Sequence, residues 1–230
     1  MVDIISKYSP IPLTAEQLGK MRTVYEKLEE KNKVMNLTSI KSAADAAELH
    51  FIDSLYPLST GLIKGDVLDV GSGGGFPGIP VAIASDTRVT CLDATKKKLD
   101  FIEETASETG IGNIGVLYGR AEELALDKAC RDKYDTVLSR GVARLNVLCE
   151  WCLPYLKPNG YFIAMKGSSA AEEAQEAANA IKTLGGELVD IMHYKLQLSG
   201  HGHALVIIKK TSVTPAGYPR HNSQIIKKPL

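Results

Sequence analysis

Val67-Leu68-Asp69-Val70-Gly71-Ser72-Gly73-Gly74-Gly75-Phe76-Pro77-Gly78 is the stretch whose reading decides the fold. Val67, Leu68 and Val70 enclose one acid, the pattern of a short buried strand. The glycines that follow permit positive φ and sharp turning, and without Cβ they let a ligand lie against the backbone. Pro77 has no N–H to donate, so it suits the first turn of a helix beginning there. Strand, glycine loop and helix start together make a cradle of free N–H groups suited to a nucleotide-type ligand.

The spacing Asp69-x-Gly71-x-Gly73-x-Gly75 is the form seen in S-adenosylmethionine-dependent methyltransferases. The dinucleotide fingerprint G-x-G-x-x-G fails from Gly71, where Phe76 takes the third place, but matches from Gly73 through Gly75 to Gly78. The loop alone therefore leaves both cofactors open. It has no Gly-Lys-Ser/Thr, which sets a Walker-type NTPase aside.

Working outward, the 230 residues are 44% hydrophobic and 23% charged, the composition of an ordinary globular chain with room for a substantial core. Lys+Arg and Asp+Glu stand at 27 each, so total charge decides nothing about nucleic acid. Its distribution does: no acid follows Asp190, while Lys195, Lys209, Lys210, Arg220, Lys227 and Lys228 do. No apolar run approaches the ~20 residues of a membrane span, and no signal-peptide pattern opens the chain. Four cysteines in a chain this long are no disulfide scaffold, so a cytoplasmic protein is expected. The expected assembly state is a monomer.

Three regions follow: an N-terminal helical extension over residues 1–60, a core over 61–210 and a basic tail over 211–230, packed as one structural domain. Thr14-x-x-Gln17 can form a capping box, after which Leu18, Met21, Tyr25 and Leu28 share a helix face. Ser42-x-x-Asp45 resembles a second helix start. On a 3.6-residue wheel, Leu49, Phe51, Ile52, Leu55, Tyr56 and Leu58 fill one side of that helix. His50, Asp53 and Ser54 share the opposite arc, either a solvated face or one turned toward a pocket; a single helical turn does not build a hydrolase triad.

From Asp66 the pattern alternates strand and helix, which implies a parallel sheet. Strands are expected over 89–93, 114–118, 134–139 and 161–166, with helices over 145–156 and 170–184. Asp93, ending the second strand, can accept both hydroxyls of a ribose. Lys96, Lys97 and Lys98 in the next helix's first turn read as solvated side chains. Lys157-Pro158-Asn159-Gly160 reads as a turn. The runs 187–198 and 204–210 are separated only by Ser199–His203, too short for a parallel crossover, so they form an antiparallel hairpin. A βαβ sheet closed by a reversed strand favours the methyltransferase alternative over the dinucleotide one. Cys149-Glu150-Trp151-Cys152 lies inside a helix and has no second pair, so two buried thiols are expected rather than a redox or zinc motif. His201-Gly202-His203 has no acid beside it, and no metal is expected.

The chain resembles the bacterial 16S ribosomal RNA guanine-N7 methyltransferases, also called glucose-inhibited division protein B. Asn36-Leu37-Thr38 and His50-Phe51-Ile52-Asp53-Ser54-Leu55 are similar to that family's N-terminal signature, and Leu68 to Pro80 to its cofactor loop. Gly119-Arg120-Ala121-Glu122-Glu123, Ser139-Arg140, Met165-Lys166-Gly167, Tyr218-Pro219-Arg220 and Lys227-Lys228-Pro229-Leu230 fit further blocks in order. The likeness departs at residues 222–226, where the family carries a Gly-Thr-Pro-containing link.

The resemblance implies a Rossmann-like class I α/β fold, with a mostly parallel seven-stranded sheet, an antiparallel final strand and N-terminal helices. It implies S-adenosylmethionine as cofactor, S-adenosylhomocysteine as product, and 16S ribosomal RNA or the small ribosomal subunit as partner. Cofactor contacts are implied from Gly71, Phe76, Ala121, Glu122 and Arg140; Asp69, Gly73, Gly75 and Asp93 join them on the physical reading of the loop and second strand. Asn36, His50, Asp53 and Ser54 would border the base. Arg140, Arg144, Lys166, Arg220, Lys227 and Lys228 would meet RNA phosphates.

Ser139-Arg140-Gly141-Val142 after the fourth strand is neither an Asn/Asp-Pro-Pro-aromatic motif for exocyclic amines nor a cysteine for pyrimidine C5. Guanine N7, a ring acceptor without a proton, needs neither, so no general base is expected. A small-molecule methyltransferase and a non-catalytic RNA-binding module are the alternatives.

Overall fold

The computed structural model describes residues 1–35 and 37–230. Two helices, α1 (Val2–Tyr8) and α2 (Ala15–Met35), precede the sheet. The capping box forms: Thr14 Oγ1 accepts from the Gln17 N–H at 3.2 Å and Gln17 Oε1 from the Thr14 N–H at 2.9 Å. Met21, Val24 and Leu28 of α2 are buried.

The next helical segment opens as expected, with Ser42 Oγ accepting from the Asp45 N–H at 3.0 Å. After one α turn, α3 (Ala43–Asp45), it widens into a π-helix over Ala46–Ile52 before returning to α geometry in α4 (Asp53–Ser59). A 3.6-residue wheel cannot survive seven residues of π geometry. Asp53 and Ser54, one alternative for which was a solvated face, are 3% and 0% exposed.

Seven strands make one sheet in the order β3-β2-β1-β4-β5-β7-β6. They are β1 (Asp66–Val70), β2 (Arg88–Asp93), β3 (Ile114–Tyr118), β4 (Tyr134–Arg140), β5 (Leu156–Lys166), β6 (Gly186–Lys195) and β7 (Gly202–Lys210). The first five run parallel, and β7 pairs antiparallel with both β5 and β6. The reversed strand thus sits inside the sheet. The turn expected at 157–160 is a bulge within β5: Tyr134 pairs Leu156, but Thr136 already pairs Tyr161, with Asn159 at φ 70° between.

Helices cover both faces. On one side, α1, α2, the π-helix, α5 (Gly78–Ala84) and α6 (Lys96–Thr109) bury a core around Phe51, Ile79, Leu99 and Ile102. On the other, α7 (Ala121–Leu124), α8 (Leu145–Cys152), α9 (Ala170–Glu176) and α10 (Ala178–Thr183) bury one around Leu148, Tyr155, Phe162 and Ala180. The single helix expected over 170–184 is two, and that over 145–156 ends at Cys152 with a 3-10 turn following. Cys149 and Cys152 are buried, and burial pushes both thiols well above their ordinary range. No described helix is long and apolar enough to cross a membrane.

The tail is packed rather than loose. Arg131 donates to the carbonyls of Thr214 at 2.7 Å and Tyr218 at 2.8 Å. A final helix, α11 (Asn222–Lys227), buries Ile225 completely.

Candidate active site

The glycine loop, Asp93 and Arg140 lie at the carboxyl ends of β1, β2 and β4, where a doubly wound sheet opens its crevice. The glycine loop leaves β1 and folds over the end of β2: the N–H groups of Gly71 and Ser72 donate to the Leu92 carbonyl at 2.8 and 3.0 Å. Gly71 and Gly73 hold φ of 75° and 56°, conformations costly for any residue with a Cβ. A Cβ on Gly71 would stand 2.5 Å from Val142 Cγ2, whereas above Gly73 there is open space. Asp93 braces the loop from beneath, its Oδ2 accepting from the Gly73 N–H at 3.0 Å and its Oδ1 from the Thr95 N–H at 2.8 Å.

Asp69 and Gly75, both expected to contact cofactor, lie under the loop instead. Asp69 is fully buried, its Oδ2 accepting from the Gly78 N–H at 2.8 Å while Oδ1 has no partner. Burial raises its carboxyl to about 7, against the opposing pull of the Gly78 N–H and the Arg140 charge. Gly75 exists to pack: a Cβ there would stand 2.4 Å from Ile79 Cδ1.

A cavity of about 210 Å³ opens on one side of Gly71. Asp93, Ala121 and Glu122 line it as expected, and so do Trp151 and Asn222, which the sequence reading passed over. Glu122 is 6% exposed, yet its Oε1 has no hydrogen-bond partner. Trp151 Nε1 and Asn222 Oδ1 are likewise buried and unpartnered. Three residues of this lining thus each carry a buried polar atom that no described group satisfies, which is costly unless something else meets it.

On the other side of Gly71 a second cleft, of about 530 Å³, runs over the loop past Gly73, Phe76, His50, Arg140 and Lys98. Lys98, read from sequence as solvated, is half-buried and lines this cleft. His50 stacks on Phe76 with ring centroids 4.5 Å apart, and its Nε2 lies 2.8 Å from Thr38 Oγ1. Burial first, then the Arg140 charge, pushes its imidazole down to about 4, so it is neutral at physiological pH. Gly71 borders both spaces.

Several charged groups expected at the substrate are engaged elsewhere. Asp53 accepts from Arg140 Nη1 at 2.8 Å and from the Tyr194 hydroxyl at 2.7 Å, with His203 Nδ1 at 2.8 Å. Burial would raise its carboxyl, but His203, Arg140 and Tyr194 outweigh that and hold it below its ordinary value. The Asp53 hydrogen bond raises His203 in turn. Arg140 also donates to the Leu49 carbonyl at 2.8 Å and reaches the cleft from this network, 6.0 Å from the Phe76 ring centroid. Ser54, expected at the base, donates to the His50 carbonyl and is completely buried.

Lys166 is buried against Glu173 at 2.7 Å and donates to the Ala143 carbonyl, so two of its three N–H groups are engaged and its side chain is only 8% exposed. Arg144 pairs with Glu176 at 2.5 Å on the surface. Arg220 clasps the completely buried Glu150 through its Nε and Nη2, 2.9 and 2.8 Å from the two carboxylate oxygens. It anchors the tail rather than facing solvent. Lys227 and Lys228 are exposed. Asn36, also expected at the base, lies outside the described residues.

A family model described as GidB, rRNA small subunit methyltransferase G, matches residues 17–201. The ribosomal RNA small subunit methyltransferase G of Alkaliphilus oremlandii is 41% identical over 223 residues, 96% of this chain and 93% of that protein. Its counterpart in Desulforamulus reducens is 43% identical over 228 residues, 98% and 95% of the two chains. Among solved structures, an O-methyltransferase from Bacillus cereus in complex with SAH aligns with TM-score 0.57 at 16% identity, over 90% of this chain and 100% of that one. M. jannaschii TYW2 in complex with AdoMet aligns with TM-score 0.55 at 18% identity, over 74% and 78%. Identities this low speak for the fold alone, and that fold is the S-adenosylmethionine-dependent methyltransferase sheet.

Proposed function

Because this chain belongs to the rRNA small subunit methyltransferase G family, we propose that the two-ended site transfers a methyl group from S-adenosylmethionine to N7 of a guanine in 16S ribosomal RNA. The observation that supports this reading is the pair of spaces bordered by Gly71, one lined by three residues that each carry an unsatisfied polar atom and the other by Phe76 and neutral His50 beside Arg140 and Lys98.

The residues fit the cofactor. Glu122 Oε1 is an acceptor without a partner and would take a hydrogen from the adenine amino group. Each oxygen of Asp93 has accepted one backbone N–H and keeps a lone pair for a ribose hydroxyl. Open space above Gly73 leaves room for the methionine part along the loop. The bound cofactor supplies an electrophilic methyl group on a sulfonium sulfur.

The chain's own part is to aim and to exclude. Phe76 and neutral His50 wall the cleft over the loop, and the Arg140 charge beside them is met by Asp53. Those surroundings suit a reaction in which positive charge leaves sulfur. A guanine held in line between these walls would present its N7 lone pair to the methyl group that the cofactor would supply. No proton moves, so no general base is required; held in line, the two reactants gain up to ~7–11 kcal/mol from orientation. RNA phosphates would meet Lys98 at the cleft and Lys227 and Lys228 on the tail.

The test is incubation with labelled S-adenosylmethionine and 16S ribosomal RNA from cells lacking the enzyme, as naked RNA and as the small subunit. Borohydride–aniline cleavage at one guanine is the expected result. Label at an exocyclic amine or a pyrimidine carbon would overturn N7, and label on small molecules alone would overturn the RNA substrate.

A further inference from the structure

The end of the chain reaches the cofactor cavity, and it does so by design of its anchors. Glu150 and Trp151 are neighbours on α8. Glu150 is completely buried and takes up Arg220, whose backbone N–H also donates to it at 2.7 Å. Two residues on, Asn222 starts α11, with the His221 side chain capping the helix through the Ser223 N–H. Ile225, buried one turn later, fixes the far side. Asn222 is therefore held between two anchors and set beside Trp151 at the wall of the 210 Å³ cavity.

The polar atoms left free there have a complementary pattern. Glu122 Oε1 and Asn222 Oδ1 are acceptors and Trp151 Nε1 is a donor; all are buried, and none has a partner among the described residues. Adenine presents a 6-amino group with two hydrogens and, beside it, ring nitrogens that accept. Hypoxanthine presents an oxygen at the same place, which two acceptors would repel.

We propose that the C-terminal segment completes the adenine pocket, Asn222 and Glu122 accepting the two amino hydrogens while Trp151 donates to a ring nitrogen. This rests on S-adenosylmethionine as cofactor and adds a specificity determinant to it. The tail's positively charged residues divide accordingly: Arg220 locks the segment in place, and Lys227 and Lys228 remain outside.

Trp151 is the only tryptophan in the chain, so its emission reports on the cavity directly. S-adenosylhomocysteine, 5′-methylthioadenosine and S-inosylhomocysteine would each be titrated against the full-length protein and against Asn222→Ala and Asn222→Leu. The wild type is expected to show saturable change with the two adenine ligands and weak binding of the inosine one. Both variants should weaken the adenine ligands by the same factor, about fivefold to tenfold, and narrow the preference over inosine by a like amount. Thermal melting confirms that they fold. Affinity within twofold of wild type in both variants, or recovery in Asn222→Leu, which keeps bulk and loses the amide, overturns the proposal. Failure of the wild type to bind S-adenosylhomocysteine at all overturns the cofactor assignment and this proposal with it.

Discussion

Asp53 and Glu122 are both carboxylates almost withdrawn from solvent, and the chain treats them in opposite ways. Asp53 has an arginine, a tyrosine and a histidine around it, drawn from β4, β6 and β7, and those bonds tie the start of α4 to three strands of the sheet. Glu122, at the start of α7, leaves one oxygen with no partner. A buried carboxylate whose bonds are all made by the protein holds structure together; one left short is waiting for something else. Glu122 was expected at the cofactor from the family resemblance, and Asp53 at the base. Glu122 lines the 210 Å³ cavity, and Asp53 lines neither of the two spaces at Gly71.

The sharpest way to break that contrast is Asp53→Ala. It leaves Arg140 and His203 facing each other with no anion between, and breaking a buried pair from one side costs about 3–5 kcal/mol. Urea denaturation should show that loss, while the folded fraction keeps S-adenosylhomocysteine affinity within a few-fold. A loss below about 1 kcal/mol would mean the network is decorative.

His50 and Asp69 are intermediate cases, each with one buried atom lacking a partner, and they act on stability in opposite senses. His50 titrates near 4 when folded, below its ordinary 6.5, so its contribution is present above 6.5 and lost as pH falls toward 4. Asp69 titrates near 7 when folded, above its ordinary 3.8, so its contribution is present below 3.8 and lost as pH rises through 7. Between about pH 4 and 6.5 the two slopes oppose each other. Asp69→Asn should therefore uncover a fall in stability toward acid, and His50→Gln a rise, each of up to ~3 kcal/mol across the window. Denaturation curves at pH 4.5, 5.5 and 6.5 read both; parallel behaviour in the two variants would refute the assignment.

What sequence could reveal, and what it could not, divides along a similar line. Features set by neighbours in the chain were legible: the Thr14–Gln17 box, β3 at its full bounds, the glycine loop, the reversed hairpin. Features set by distant partners were not. Nothing near Lys166 in sequence says that Glu173 will bury it from across a turn, nor does anything near Arg220 point to Glu150, 70 residues earlier. Residue type suggested phosphate contacts for both, and tertiary pairing removed them. The π-helix is a third kind of loss, since a 3.6-residue period is the assumption that it breaks. Trp151 and Asn222 were invisible because their role depends on a cavity that no single segment forms.

Glu122→Ala sharpens the contrast from the other side. Removing an acceptor that has no internal partner should leave the melting temperature close to wild type. Losing a charged acceptor from the adenine amino group should weaken S-adenosylhomocysteine by roughly 10- to 100-fold, the equivalent of ~1.5–3 kcal/mol. Calorimetry measures the binding and a thermal melt the stability. Large destabilisation with unchanged affinity would move Glu122 into the same class as Asp53.

The smallest effect expected lies outside both regions. Lys227 and Lys228 are exposed on or beside α11, and no ion pair engages them among the described residues. Contacts between exposed ammonium groups and phosphates act mainly by releasing counterions, each steepening the dependence of log affinity on log salt by ~0.7–0.9. Lys227→Ala with Lys228→Ala should thus make that slope shallower by about 1.5, at little cost in affinity at high salt. The same variant should bind S-adenosylhomocysteine as wild type does, because Asn222 and Arg220 are untouched. A slope that does not change would confine the tail to the cofactor pocket, and a weaker cofactor affinity would mean that the cations outside and the pocket inside are coupled through α11.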